Sequence, residues 1–174
     1  YIGSELASSL TKNGINVSVV FPHDRMLSKF ASADIASYIH NLYHKKGVEL
    51  YNNDKVVEIV GNNKVEKVIL NSGKTINADM VVAGIGVTPN TELFDDSPLT
   101  IEEGIKVNEY LETNVPGVYA AGDIAHYPDQ VFDKWRRVEH WENAFEQGKL
   151  AAANMMGRKK SYNSIPFFFS ERAS

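Results

Sequence analysis

The sequence predicts an α/β fold of three layers that includes a β-meander. Three observations carry this expectation. A helical stretch ending near Gly14 leads into an apolar strand, Asn16 to Phe21, and a second helix follows from about Ala33. Between residues 48 and 77, short β-rich runs alternate with turn residues. Apolar runs end in glycine at Gly84-Ile-Gly86 and at Gly122-Asp123, where a glycine-rich strand end lets a large ligand approach the backbone.

Ile2, Leu6 and Leu10 fall four apart and predict the buried stripe of the first helix, which Gly14 closes. A helix followed by a strand suggests a βαβ unit whose first strand would lie upstream of residue 1. Gly3 then stands as the last glycine of a Gly-x-Gly-x-x-Gly turn, the one that lets helix and strand pack closely. Glu5 falls in the first helical turn, where the helix dipole favours an acid on its own account. The second helix, Ala33 to Lys46, carries Ile35, Ile39, Leu42 and Tyr43 as its expected buried stripe and stops at Gly47. His40 and His44 have the i, i+4 spacing of a two-histidine metal site. No Glu accompanies them as His-Glu-x-x-His, and Asn41, Lys45 and Lys46 mark a solvated face, so no metal is assigned.

Val48 to Tyr51 and Lys55 to Val60 are predicted strands. Asn62-Asn63 turns the chain into Lys64 to Leu70, and Ser72-Gly73 turns it again into Lys74 to Asn77. Asp79 to Gly84 is a continuous apolar run, expected as a central parallel strand buried on both faces. The following Gly84-Ile-Gly86-Val-Thr-Pro-Asn90 suits a dinucleotide at a strand end or a tight turn out of a domain, and both can hold. Leu93-Phe94, Leu99 and Ile101 space a packed connector before a short strand, Gly104 to Val107.

Pro116-Gly117 predicts a turn, Val118 to Ala121 a short buried strand, and Gly122-Asp123 its close. The Asp123 carboxylate can accept hydrogen bonds from sugar-type hydroxyls. Ala125 to Lys134, with Pro128, has the character of a loop. Arg136 to Trp141 leads into a helix through Met156, with Trp141, Ala144, Phe145, Gly148, Ala151, Ala152 and Met155 expected on one side and Gly157 as its cap. By itself this segment reads as a core helix after an exposed charged loop. Ile165-Pro-Phe-Phe-Phe-Ser170 predicts an aromatic element with a covering partner.

Composition narrows the classes. At 174 residues the chain can bury a core, and 43% hydrophobic with 23% charged residues is the balance of an ordinary globular protein. A net charge of −4 gives no reason to expect nucleic acid as a partner. No apolar run approaches the ~20 residues of a membrane span. Without cysteine there is no disulfide and no thiolate metal site, which fits a reducing compartment and an expected cytoplasmic location.

Several motifs together resemble one family. Thr113 to Asp123 resembles the second FAD-binding motif of the two-dinucleotide flavoprotein reductases, which implies that Gly122 and Asp123 hold the ribitol of FAD. Tyr1-Ile2-Gly3-Ser4-Glu5 matches the tail of the family's Gly-Gly-Gly-Tyr-Ile-Gly-x-Glu, placing Glu5 near the nicotinamide. Gly84 to Asn90 matches the family's exit from its NAD(P) domain. Arg137 to Gly157 is similar to the segment that points a helix N-terminus at the flavin pyrimidine, which implicates Glu139, His140 and Trp141. Pro166 to Ser170 resembles the start of a third, interface domain, where Phe169 lacks the polar tip of the usual Trp or Tyr.

The chain is therefore similar to the pyridine nucleotide FAD-dependent oxidoreductase family, in the group of monodehydroascorbate reductase, ferredoxin and rubredoxin reductases and apoptosis-inducing-factor-like proteins. The resemblance implies a Rossmann-like two-dinucleotide-binding fold, FAD and NAD(P)H as cofactors, and a small-molecule or ferredoxin/rubredoxin-type electron acceptor. It admits a homodimer. It implies an NAD(P)-binding domain over 1–88 without its first strand, a returning part of the FAD domain over 89–160, and the start of an interface domain over 161–174. Hydride passes from nicotinamide to flavin in this family and then electrons reach the acceptor, so no side chain is assigned as a nucleophile. The isolated 174 residues are expected to be inactive. Two other readings stay open: a redox sensor or interaction protein with little turnover, and a nucleotide-binding domain without flavin, against which the Asp123 motif argues.

Coenzyme choice follows from the second-strand end. NAD-specific folds place an acid there for the ribose 2′-hydroxyl, whereas this position carries Phe21. His23 and Arg25 bring two phosphate ligands, with Lys29 further on, while Asp24 pulls the other way; His23 and Arg25 also read as plain solvated loop residues. Use of both coenzymes is expected. Comparing kcat/KM for NADH and NADPH in the full-length protein carrying this chain should show a preference for NADH below about a thousandfold.

Overall fold

The structure, a computed structural model, describes residues 2–168. Phe169 and Ser170, like Tyr1, lie outside the described residues. The chain divides near Ile85 and Gly86 into two compact units.

In the first unit, helix α1 (Ile2–Lys12) precedes strand β1 (Ser18–Phe21), helix α2 (Ala33–Lys45) and strand β2 (Glu49–Asn52). β1 and β2 pair in parallel, Ser18 against Glu49 through Phe21 against Asn52, and α2 makes the crossover. Gly14 and Gly47 follow the two helices at φ +78° and +89°, as a left-handed closing residue requires. The buried side of α1 is not the expected Ile2, Leu6, Leu10 stripe. Ile2 is 65% exposed, whereas Ser4 and Ala7 are buried. The Tyr43 hydroxyl of α2 donates to the Ser4 carbonyl at 2.9 Å, and only small side chains allow that approach. On α2, Ala36 and Tyr43 are buried and Ile35 lies outside at 54% exposure.

Strands β3 (Val56–Val60), β4 (Lys67–Leu70) and β5 (Thr75–Asn77) form the expected antiparallel meander in the order β3-β4-β5. The run Asp79 to Gly84 is not a strand. Among the described residues no strand pairs with it, and Met80 and Val82 are exposed. An apolar run becomes a buried strand only where a neighbour supplies the ladder, which periodicity cannot report.

In the second unit, strands β6 (Ile105–Lys106), β7 (Ala125–Asp129) and β8 (Lys134–Arg136) form one sheet, β6 parallel and β8 antiparallel to β7. The expected loop at 125–134 is therefore largely strand. Ala125, His126, Tyr127 and Asp129 are all buried, so the run shows no period-2 alternation, and Pro128 pairs only on the β8 side. Val118 to Ala121, expected as a strand, is extended but makes one isolated bridge, Glu112 with Tyr119. The predicted turn before it is present: Val118 N–H donates to the Val115 carbonyl at 3.1 Å, with Gly117 at φ +78°. Leu93, placed by the sequence in a packed connector, is exposed, while Phe94 and Leu99 do pack on the core.

Helix α3 (Trp141–Met155) corrects the sequence most sharply. Trp141, Phe145 and Met155 are exposed at 79%, 51% and 65%, and the buried face is Asn143, Gln147, Ala151 and Asn154. Asn143 Nδ2 donates to the Val138 carbonyl at 3.1 Å and its Oδ1 accepts from the Tyr162 hydroxyl at 2.9 Å. Asn154 donates to the carbonyls of Tyr110 and Lys160 and accepts the Lys160 N–H. These amides satisfy irregular backbone that has no ladder, which an apolar stripe could not do.

Tyr162 seats the chain after α3. Its ring meets Tyr127 edge-on at 5.3 Å, its N–H donates to the Glu109 carbonyl at 2.7 Å, and its hydroxyl reaches Asn143. Burial, then the neighbouring Tyr127, pushes its pKa up to about 12. A phenol held neutral in the fold contributes stability that is complete below pH 10 and falls as pH rises from 10 towards about 12. Tyr162→Phe should cost about 1–2 kcal/mol at neutral pH and lose less stability across that alkaline window, as urea unfolding at pH 7 to 11.5 measures.

Candidate functional site

The first cluster forms in the second unit, where a short turn, Gly122–Ile124, lies against the start of α3. Gly122 is at φ +79°, and a Cβ there would stand 3.3 Å from the Ala144 Cβ. Its buried N–H donates to Gln147 Oε1 at 2.8 Å. The Asp123 carbonyl accepts from Arg137 Nη1, and Arg137 Nη2 donates to Glu139 at 2.8 Å. The Asp123 side chain is exposed, and its carboxylate makes no hydrogen bond or ion pair among the described residues.

His140 is the N-cap of α3 in an extended conformation without a side-chain cap bond, and its carbonyl accepts the Ala144 N–H at 3.0 Å. The first N–H groups of α3 therefore lack a side-chain acceptor at the cap. The His140 ring meets Phe168 at 4.8 Å, and its buried Nδ1 has no hydrogen-bond partner among the described residues. Exposed Trp141 stacks on Phe145, with centroids 5.4 Å apart and planes 8° from parallel. Five expected residues, Gly122, Asp123, Glu139, His140 and Trp141, thus belong to the turn and to the segment entering α3.

The second cluster forms in the first unit. A Cβ at Gly84 would stand 3.3 Å from the Gly3 nitrogen and 3.5 Å from its Cα, so these distant glycines meet backbone to backbone. Glu5 sits half-buried in the first turn of α1. At the carboxyl end of β1, the Phe21 carbonyl accepts the Asp54 N–H at 3.2 Å and the His23 carbonyl accepts the Asn53 N–H at 2.9 Å. The Phe21 ring meets His40 edge-on at 6.2 Å. Burial, then the charges of His44 and Arg25, lowers the His40 pKa. Arg25 pairs with Asp24 at 3.5 Å, both largely exposed. Gly86, which belongs to the second unit, sits at φ +106°, where its backbone angle needs glycine, and has no described atom within 4 Å of its Cβ position. Phe169 lies outside the described residues.

Arg137 and Gln147, which hold the Asp123 turn, were not singled out from the sequence. A signal existed for Gln147: Asn143, Gln147 and Asn154 share one helical face, an amide stripe within an otherwise amphipathic helix.

Residues 1–148 match the family profile described as pyridine nucleotide-disulphide oxidoreductase. The chain belongs to this family. Over 175 residues it is 39% identical to peroxisomal monodehydroascorbate reductase 4 of Arabidopsis thaliana, covering 98% of this chain and 36% of that protein. It is 31% identical to putidaredoxin reductase of Pseudomonas putida, covering 99% of this chain and 42% of that protein. Among solved structures, putidaredoxin reductase in its covalent complex with putidaredoxin superposes with a TM-score of 0.94 at 31% identity, over 99% of this chain and 42% of that one. A ferredoxin reductase of Rhodopseudomonas palustris gives 0.93 at 32% identity, over 99% and 43%. The chain thus spans 36% to 43% of the length of these relatives.

These neighbours are FAD/NAD-dependent reductases with the Rossmann-like fold, and the family uses FAD and NAD(P)H. The relatives include proteins named as peroxisomal, and nothing in the comparisons confirms the expected cytoplasmic location. Among the described residues no helix is long and apolar enough to cross a membrane.

Gly122→Ala should destabilise the second unit by roughly 1–2 kcal/mol from the left-handed backbone alone, with the Ala144 contact adding to it. Urea unfolding of the variant measures this.

Proposed function

We propose that the protein carrying this chain is a flavoprotein oxidoreductase in which NAD(P)H reduces FAD and the electrons pass to a small-molecule or iron-sulfur protein acceptor. The observation that carries this reading is the exposed, unpartnered Asp123 carboxylate on a left-handed glycine turn beside the uncapped start of α3. A carboxylate of this kind suits a polyhydroxyl chain, which brings only donors and acceptors of its own size. Free N–H groups at a helix start suit an electron-rich ring edge, through hydrogen bonding and the helix dipole. The residues present fit FAD on both counts.

Asp123 would accept the ribitol hydroxyls, and the N–H groups at Trp141 and Glu142 would face the acceptor edge of the ring. Arg137 fixes the Asp123 carbonyl, and Glu139 fixes Arg137. The chemistry supplied by bound flavin is acceptance of a hydride from reduced nicotinamide and release of the electrons to an acceptor. For NAD(P)H, the space beside Gly3 at the start of α1, where a Cβ would meet no atom within 4 Å, suits a pyrophosphate, and Glu5 follows in the same first turn. His23 and Arg25 beside Phe21 would meet the adenosine end. The proposed domains are an NAD(P)-binding part over 1–88, an FAD-binding part over 89–160 and the start of an interface part from 161. The names of the relatives point to two acceptor classes, monodehydroascorbate and a ferredoxin-type protein.

The full-length protein should show a flavin absorbance spectrum and reduce such an acceptor in steady state with NADH or NADPH. Asp123→Ala should lower flavin content at purification by removing an acceptor for sugar hydroxyls at about 1–3 kcal/mol. Unchanged flavin content and affinity in this variant would make Asp123 a turn residue only.

A further inference from the structure

We propose that Gln147 is a positioning residue for the Asp123 turn and thereby sets the affinity of the flavin site; this rests on the flavoprotein reading above. Gly122 lies outside any strand ladder, and its buried N–H is accepted by Gln147 Oε1 at 2.8 Å. Ala144, one helical turn before Gln147, backs the same glycine. At the other end of the turn, Arg137 Nη1 donates to the Asp123 carbonyl. Since the Asp123 carboxylate has no partner among the described residues, its place is set by these backbone contacts.

A second observation concerns cost. Gln147 is fully buried, yet its Nε2 has no hydrogen-bond partner among the described residues. Leucine or methionine would fill much the same space without a stranded donor, so the amide is unfavourable to the fold unless its oxygen is needed. The hydrogen bond recorded for its side chain goes to Gly122, which locates that need at the turn. Asn154 is different. It shares the buried face of α3, but its bonds tie the far end of the helix to Tyr110 and Lys160.

The test uses the full-length protein, stripped of flavin and titrated with FAD by fluorescence quenching. Gln147→Leu, Gln147→Glu and the control Asn154→Leu are compared, with apoprotein melting and exchange of the Gly122 amide followed in parallel. Gln147→Leu removes the acceptor and should weaken FAD binding about tenfold or more, with faster Gly122 exchange. Gln147→Glu, neutral under burial, keeps an acceptor oxygen and should bind within about threefold of wild type. Asn154→Leu should melt at least as early as Gln147→Leu and leave FAD affinity unchanged. If Gln147→Leu does not fold, Gln147→Met takes its place. Wild-type affinity in the Leu variant, or an equal loss in the Leu and Glu variants, would overturn the proposal. Wild-type protein that binds no FAD would sink the flavoprotein reading instead, and Gly122 exchange would still decide the positioning role.

Discussion

The second unit depends on the buried amide face of α3. A helix in a small domain ordinarily buries an apolar stripe, because apolar area removed from water is the main driving term. Here the neighbours of α3 are irregular backbone: the Gly122 turn, the Val138 segment, Tyr110 and the chain after Gly157. Such backbone carries N–H and C=O groups that no ladder satisfies, and leaving one buried costs about 1–3 kcal/mol. Asn143, Gln147 and Asn154 supply the missing donors and acceptors. Trp141 and Phe145 lie on the other side of the helix and stack on each other.

The first unit rests on a different constraint, closeness of approach. The Tyr43 hydroxyl reaches the Ser4 carbonyl because Gly3, Ser4 and Ala7 leave the near side of α1 almost bare. The same bareness lets Gly84 come within van der Waals distance of Gly3. A Cβ at Gly84 would crowd the Gly3 backbone at 3.3 Å, whereas one at Gly3 would meet no atom within 4 Å.

Three carboxylates serve the fold itself. Asp54 accepts the N–H groups of Lys55 and Ser72, and hydrogen bonding from the Ser72 side chain first holds its pKa below the ordinary value. Glu102 is lowered by its hydrogen bond from Lys106 and also faces His126 at 3.4 Å. Asp129 binds Arg136 while accepting the N–H groups of Val131 and Phe132. Each is consumed by the fold. Asp123 is held by its backbone and leaves its carboxylate open.

The sequence by itself determined the local features. The helices, the meander, the helix-closing glycines at 14 and 47, the turn at Gly117 and the Gly122-Asp123 turn all follow from periodicity and turn chemistry. Motif order was enough to place the chain in its family, because motifs are contiguous. Tertiary structure alone decided which faces are buried. Periodicity rewards apolar stripes, so it chose Trp141, Phe145 and Met155 on α3 and Ile2 on α1, where the neighbours instead demanded amides and small residues. It also predicted a strand at 79–84 and a loop at 125–134, since strand formation depends on a partner that no single segment encodes. Gln147 was hidden for the same reason: its role lies in the N–H of a residue twenty-five positions away.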